Sequence, residues 1–389
     1  MPSTRGSLLL LAYLGFVSLG LPDGLLGVGW PSMAESLGVP TSAVGLLLVA
    51  GTAGYLASSV AAGFTLRRLG VGALLAGSTG LACLALSGYA SSGVFALTVA
   101  VAFVLGLGSG AIDSGLNAYA ASAFGARHMN WMHAFFGLGV AIGPLIMTGV
   151  LLAGWSWRWG YVTVAVAQAA LATAFALTAR RWARTAPPPE AHDRSGGSTL
   201  RLPAVWLGAL VFALYVAIEA GAGLWAFLLL TEARGLSAGA AGLCVSLYWA
   251  MLFAGRIVFG PVSERVGSRT VLLGCLVALV AGAALVAVPG VAALSVLGLA
   301  VLGFAAAPVF PLLILTTADR VGAAHADRTI GVQVGAAALG GALVPAGIGL
   351  ALGGAGERAG LLGPILLALA VALLVLHLTT GRRPAPVTA

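Results

Sequence analysis

Long apolar runs separated by short polar stretches dominate the chain. Most approach the length of about 20 residues that a helix needs to cross the hydrocarbon core of a bilayer. Runs near 7–31, 43–64, 72–90, 94–123, 130–153, 158–180, 203–231, 238–262, 269–288, 291–318, 328–353 and 359–380 predict twelve membrane helices. They are continuous and rich in Leu, Ala, Val and Gly. A membrane β-barrel needs short alternating segments instead. The pattern breaks once, at 181–202 (RWARTAPPPEAHDRSGGSTLRL), which is polar and rich in Pro and Arg. This stretch is expected to be a cytoplasmic linker between an N-terminal six-helix bundle, 1–180, and a C-terminal one, 203–389. The first run shows no small-residue cleavage site before the second begins, so it is expected to remain as a helix rather than act as a signal peptide.

The halves echo each other. GFTLRRLG at Gly63–Gly70 and GPVSERVG at Gly260–Gly267 both follow the second run of a half, 197 residues apart. In the fifth runs, FFGLGVAIGP ends at Pro144 and AAALGGALVP ends at Pro345. Two parallel six-helix repeats are therefore expected.

Composition sharpens the picture. Charged residues make up 8% of the chain and apolar residues 60%, whereas a soluble domain carries about 25% charged residues. That is too little charge to cover a water-facing surface. The net charge of +8 is not a nucleic-acid signal, because all 19 basic residues are Arg and their placement accounts for them. Fifteen lie at one set of alternating ends, three (Arg158, Arg234 and Arg358) at the other, and Arg256 lies within a run. By the positive-inside rule both termini are expected in the cytoplasm of a multi-pass plasma-membrane protein. Cys83, Cys244 and Cys275 lie in apolar runs with no metal-ligand spacing. Abundant Gly, 57 residues, fits close helix packing in lipid.

Carboxylates inside apolar runs are the sharpest chemical signal. A charge at the bilayer centre is costly, so such a residue is a functional candidate by default. Asp23, Asp113 and Glu219 are the three, and the other eight acids lie in loops or at helix ends. The competing reading is a packing acid paired with Arg256 or with backbone. Asn117 follows Asp113 by four residues and so shares its helical face. A sugar hydroxyl both donates and accepts, and an acid beside an amide can orient it. Protonating the acid changes the donor pattern and supplies a physical route to coupling. Trp225, Tyr248 and Trp249 are candidates to stack on apolar sugar faces. Trp30, Trp155, Trp157 and Trp159 sit near the expected outer ends, where an interfacial belt is the better reading. His133 is a candidate for substrate binding or as a second proton acceptor. Gln333, mid-run, either binds substrate or joins helices.

GPVSERVGSR, residues 260–269, resembles the signature loop of the major facilitator superfamily. The first-half copy departs from it, with Arg67 at the expected acidic position. A narrower resemblance, to the fucose/glucose-type sugar:proton symporters, is carried by six stretches in order: GFVSLGLPDG, LGLGSGAIDSGLNAY, NWMHAFFGLGVAIGP, LYVAIEAGAGLW, SLYWAMLFAGRIVFG and GFAAAPVFPLLIL. The resemblance implies an all-α major facilitator fold. It implies that Asp113 matches the span-four cavity acid, there usually glutamate, and that Asp23 matches a span-one acid, with Pro22 replacing the usual Asn before it. Glu219 matches an acidic position of the glucose/mannose-type members, which favours a hexose. Arg256 matches the Arg of a GRxxxG pattern and is expected in a cytoplasmic latch with Glu264 and Arg265. The site is expected in a central cavity among spans one, four, seven and ten, with help from five, eight and eleven.

No Walker loop, metal cluster, nucleophile elbow or dinucleotide fingerprint appears, so neither an enzyme nor a cofactor is expected and an ion gradient should drive the work. The expectation is a monomeric secondary transporter, a hexose:proton symporter working by alternating access. Sodium is an alternative coupling ion, and a proton-coupled drug or small-molecule efflux antiporter is the alternative function.

Overall fold

The computed structural model describes residues 4–124, 126–182, 199–353 and 356–380. Among the described residues, twelve helical spans are long and apolar enough to cross a membrane. Their main helices are α1 (Thr4–Leu37), α2 (Val44–Leu69), α3 (Val71–Ser91), α4 (Phe95–Ala123), α5 (Ala126–Leu152) and α6 (Arg158–Thr178), then α7 (Pro203–Leu228), α8 (Ala238–Val266), α9 (Ser268–Ala287), α10 (Ala292–Ala306, whose span runs on to Leu315), α11 (Ala323–Leu352) and α12 (Leu362–Thr380). The chain divides into two compact units, Met1–Glu190 and Ala191–Ala389. Most of the expected linker, residues 183–198, lies outside the described residues.

Each unit packs its helices in the same pattern. In the first, α1 packs on α5, α2 on α4, and α3 on α4 and α6. In the second, α7 packs on α11, α8 on α10, and α9 on α10 and α12. The glycines show how the packing repeats. Apolar side chains gain nothing by leaving lipid, so membrane helices associate through close van der Waals fit at small residues. A Cβ on Gly106 of α4 would overlap the Gly51 carbonyl of α2, and one on Gly303 of α10 would overlap the Tyr248 carbonyl of α8. Each pair of positions is displaced by 197 residues from the other, the spacing of the sequence repeat. Gly139 meets the Val17 carbonyl in the same way, and Gly340 the Ala213 carbonyl. The turns repeat as well. Gly70 and Gly267 end α2 and α8 at φ 75° and 94°, a region that disfavours side chains with a Cβ.

The tenth run departs from the single helix expected over 291–318. α10 stops at Ala306, and a separate helix, Val309–Leu315, follows Pro308. Pro308 and Pro311 lack the N–H groups that would donate to carbonyls one turn back, so the helical hydrogen-bond ladder is interrupted at this point. Pro144, Pro261 and Pro345 stay within intact helices. Two of the tryptophans expected in an interfacial belt are interior. Trp30 is 1% exposed and donates Nε1–H to the Thr41 carbonyl at 2.7 Å, while Trp157 is 3% exposed and donates to Ser36 Oγ at 2.9 Å. Their indole N–H groups found protein acceptors, which lets the rings bury. Trp155 and Trp159 are exposed.

Candidate functional site

In the first unit, α2 and α4 approach closely enough to bring a phenol to a carboxylate. A Cβ on Gly110 would lie 2.5 Å from the Tyr55 carbonyl oxygen, so only glycine allows this spacing. One turn on, the Tyr55 hydroxyl donates to Asp113 Oδ2 at 2.7 Å. Asn117 Nδ2 donates to Asp113 Oδ1 at 3.0 Å, as the four-residue spacing on α4 requires. Asp113 therefore accepts from two helices, and hydrogen bonds to an ionised acceptor are the stronger kind. The amide's other end is unspent. Asn117 Oδ1 is buried without a hydrogen-bond partner. A buried acceptor without a donor costs about 1–3 kcal/mol, so this cluster is set to receive a donor group.

Asp23 sits mid-way along α1 with an accessible side chain, among buried neighbours Pro22 and Gly24. It lies within electrostatic range of Tyr55, Tyr89 and Tyr161. Gly24 abuts the Val140 carbonyl and Gly143 of α5, so small residues pack the helix while the acid points to open space. His133 lies elsewhere in this unit, exposed and edge-on to Phe16 at 5.1 Å between ring centroids.

In the second unit, Glu219 on α7 receives the Tyr215 hydroxyl from one turn back on the same helix. The Tyr215 hydroxyl also bonds the Ala306 carbonyl of α10 at 2.9 Å. Tyr248 on α8 donates to the backbone carbonyl of Glu219 at 2.9 Å. Arg256, also on α8, is within electrostatic range of both Glu219 and Tyr215. Glu264 and Arg265 are exposed near the end of α8; Glu264 lies about 12 Å of helical rise beyond Arg256. The ion pair beyond that end is Arg269 with Asp319 at 3.1 Å. Trp249 is half-buried, packs against Gly223 and stands edge-on to Tyr248 at 4.9 Å. Trp225 and Gln333 are interior. Trp225 donates to the Pro345 carbonyl at 2.9 Å, and Gln333 Oε1 accepts from Thr317 at 2.9 Å. Both are 1% exposed, so their polar groups tie helices together.

The sequence reading did not single out Tyr55 or Tyr215. Tyr215 had a signal, since it precedes Glu219 by four residues on one helical face. Tyr55 had none, because it meets Asp113 across two helices. Among the described residues, no group of three or more His, Cys, Asp or Glu side chains is placed to hold a metal ion.

Solved structures share this architecture. A bacterial homolog of the human lysosomal transporter Spinster matches with a TM-score of 0.79 at 13% identity, covering 99% of this chain and 100% of that one. The nucleoside transporter NupG (D323A mutant) matches with a TM-score of 0.76 at 14% identity, covering 95% and 98%. FucP in the outward conformation matches with a TM-score of 0.62 at 16% identity, covering 96% and 99%. At these identities the likeness concerns the fold. No curated protein matches the sequence. The sequence profile described as Major Facilitator Superfamily matches residues 12–345 and again 206–389. The chain thus belongs to the Major Facilitator Superfamily and is a secondary transporter, not an enzyme.

Proposed function

We propose that this transporter is a hexose:proton symporter of the fucose/glucose type, with Asp113 as the coupling carboxylate. The observation that carries the reading is the hydrogen bonding of Asp113 to both Tyr55 and Asn117, beside the unspent acceptor Asn117 Oδ1. A sugar hydroxyl donates to an amide oxygen and accepts from a protonated acid, so one ligand group satisfies the orphan and senses the proton. Neutralising a carboxylate lowers the cost of carrying it through a low-dielectric state, which links proton binding to reorientation. Asp23 and Glu219 are further proton-handling candidates in this scheme, and Trp249 is the aromatic platform. The Arg distribution supports cytoplasmic termini.

The test is proton entry into proteoliposomes on adding a panel of hexoses, with wild type beside Asp113→Asn. A nucleoside and a dipeptide complete the panel, since a nucleoside transporter and a peptide transporter are among the structural neighbours. Hexose-triggered proton entry that vanishes in Asp113→Asn supports the reading. Proton entry with the nucleoside or dipeptide alone reassigns the substrate. No solute-dependent proton flux, with insertion verified, refutes proton symport and moves the assignment to sodium coupling or to drug efflux.

A further inference from the structure

The Tyr215 hydroxyl touches two acceptors and has one proton to give. Its oxygen lies within hydrogen-bond distance of Glu219 Oε2 and, at 2.9 Å, of the Ala306 carbonyl oxygen. A carbonyl only accepts, so the Ala306 bond consumes the phenol proton. The contact with Glu219 then requires a proton on the carboxyl group, donated to the phenol oxygen. If Glu219 is ionised instead, the phenol serves the carboxylate, the stronger acceptor, and the Ala306 carbonyl loses its donor. The two bonds coexist only when Glu219 carries a proton.

The position of Ala306 gives this proton count a mechanical meaning. It is the last residue of α10 before the break at Pro308. The final carbonyls of a helix have no partner within it, and Tyr215 is 1% exposed, so bulk water is not at hand as a substitute. We propose that Tyr215 is a positioning residue that reads the protonation state of Glu219 and passes it to the break in α10. The protonated state forms a chain from the Glu219 carboxyl to the Tyr215 hydroxyl to the Ala306 carbonyl and pins α10 to α7. Loss of the proton to water turns the phenol back to the carboxylate and frees the break. The titratable and charged groups acting on Glu219 among the described residues are Tyr215 on its own helix and Tyr248 and Arg256 from α8. Arg256 supplies the counter-charge of the ionised state. α10 contributes the Ala306 carbonyl. The inference rests on the reading of Glu219 as a proton-handling residue.

Hydrogen–deuterium exchange of the full chain in lipid nanodiscs, followed across a pH series without substrate, tests it. The reporter is the peptide covering Val309–Leu315, corrected for the intrinsic pH dependence of exchange. In the wild type, protection rises about fivefold as pH falls and Glu219 gains its proton, the equilibrium worth of one hydrogen bond. Glu219→Gln, whose amide donates to the phenol at every pH, is flat at high protection. Tyr215→Phe is flat at low protection. A wild type without pH dependence, or a Tyr215→Phe protein that keeps the wild-type dependence, overturns the relay. Because substrate is absent, that failure is separate from failure of the symport reading, which the proton-flux assay decides.

Discussion

Replacing Gly106 with alanine puts a methyl group into a space occupied by another helix. The new Cβ would meet the Gly51 carbonyl oxygen, with the Gly51 carbonyl carbon at 2.8 Å and the Tyr55 nitrogen at 2.9 Å. Carbon contacts are comfortable at about 3.5–4.0 Å, and the Gly51 carbonyl oxygen is nearer still, so α2 and α4 must part by more than about 1 Å. The obstacle is backbone, which has no rotamer to escape into. Overpacking of this kind costs about 1–3 kcal/mol. At about 2–4 °C per kcal/mol for a unit of this size, the melting temperature should fall by about 2–12 °C. Gly303→Ala, its counterpart against the Tyr248 carbonyl, should do the same in the second unit. Gly77→Ala and Gly274→Ala are the matched controls. They occupy α3 and α9, also 197 residues apart, and a Cβ on either meets nothing within 4 Å. Alanine is the better helix former by about 1 kcal/mol, so the controls should hold or raise stability. Thermal unfolding in detergent, read by size-exclusion of the heated samples, measures all four. Equal melting temperatures for Gly106→Ala and Gly77→Ala would refute the argument that backbone contact at Gly106 sets the α2–α4 spacing.

Two more outcomes follow from the geometry. Gln333→Leu keeps the side-chain volume, and Thr317 retains its bond to the Leu313 carbonyl at 2.9 Å. It should therefore leave the KM for the transported solute within about twofold while stability falls by about 1 kcal/mol; uptake assays showing lost affinity at unchanged melting temperature would instead make Gln333 a ligand-binding residue. Arg269→Ala removes an ion pair whose side chains are 79% and 51% exposed, so stability should change by less than about 1 kcal/mol, and the change should shrink as salt is raised. A larger loss in thermal unfolding would show that the pair is tied into more than surface charge.

The spans were legible because lipid demands long apolar runs and the chain supplies them. The repeat was legible because the turn glycines Gly70 and Gly267 recur in matching sequence. The break in α10 was not, although Pro308 was in plain view. Pro144, Pro261 and Pro345 sit in continuous helices, so a proline alone does not say whether a membrane helix bends or stops. Trp30 and Trp157 were misread because position along a span does not tell which face of the helix a ring occupies. The acids stood out in the sequence as rare charges in apolar runs. Asn117 stood out beside Asp113 by its four-residue spacing, but Tyr55 did not, because it reaches Asp113 across 58 residues of chain. Arg256 stood out as a motif residue within an apolar run and was expected in a cytoplasmic latch, but its neighbourhood with Glu219 depends on how α8 lies against α7.

The contact between α1 and α5 has a mechanical consequence. Gly20 and Gly24 of α1 and Gly139 and Gly143 of α5 each press on the backbone of the other helix. With no side chains in between, there are no rotamers to rearrange when one helix tries to slide along the other. Sliding would have to lift the backbones apart at all these levels together. The two helices form one plank. A solute or proton that shifts α1 at Asp23 therefore tilts α5 as well, and a fluorescent reporter at the exposed Trp131 near the start of α5 would register motion that begins on a different helix.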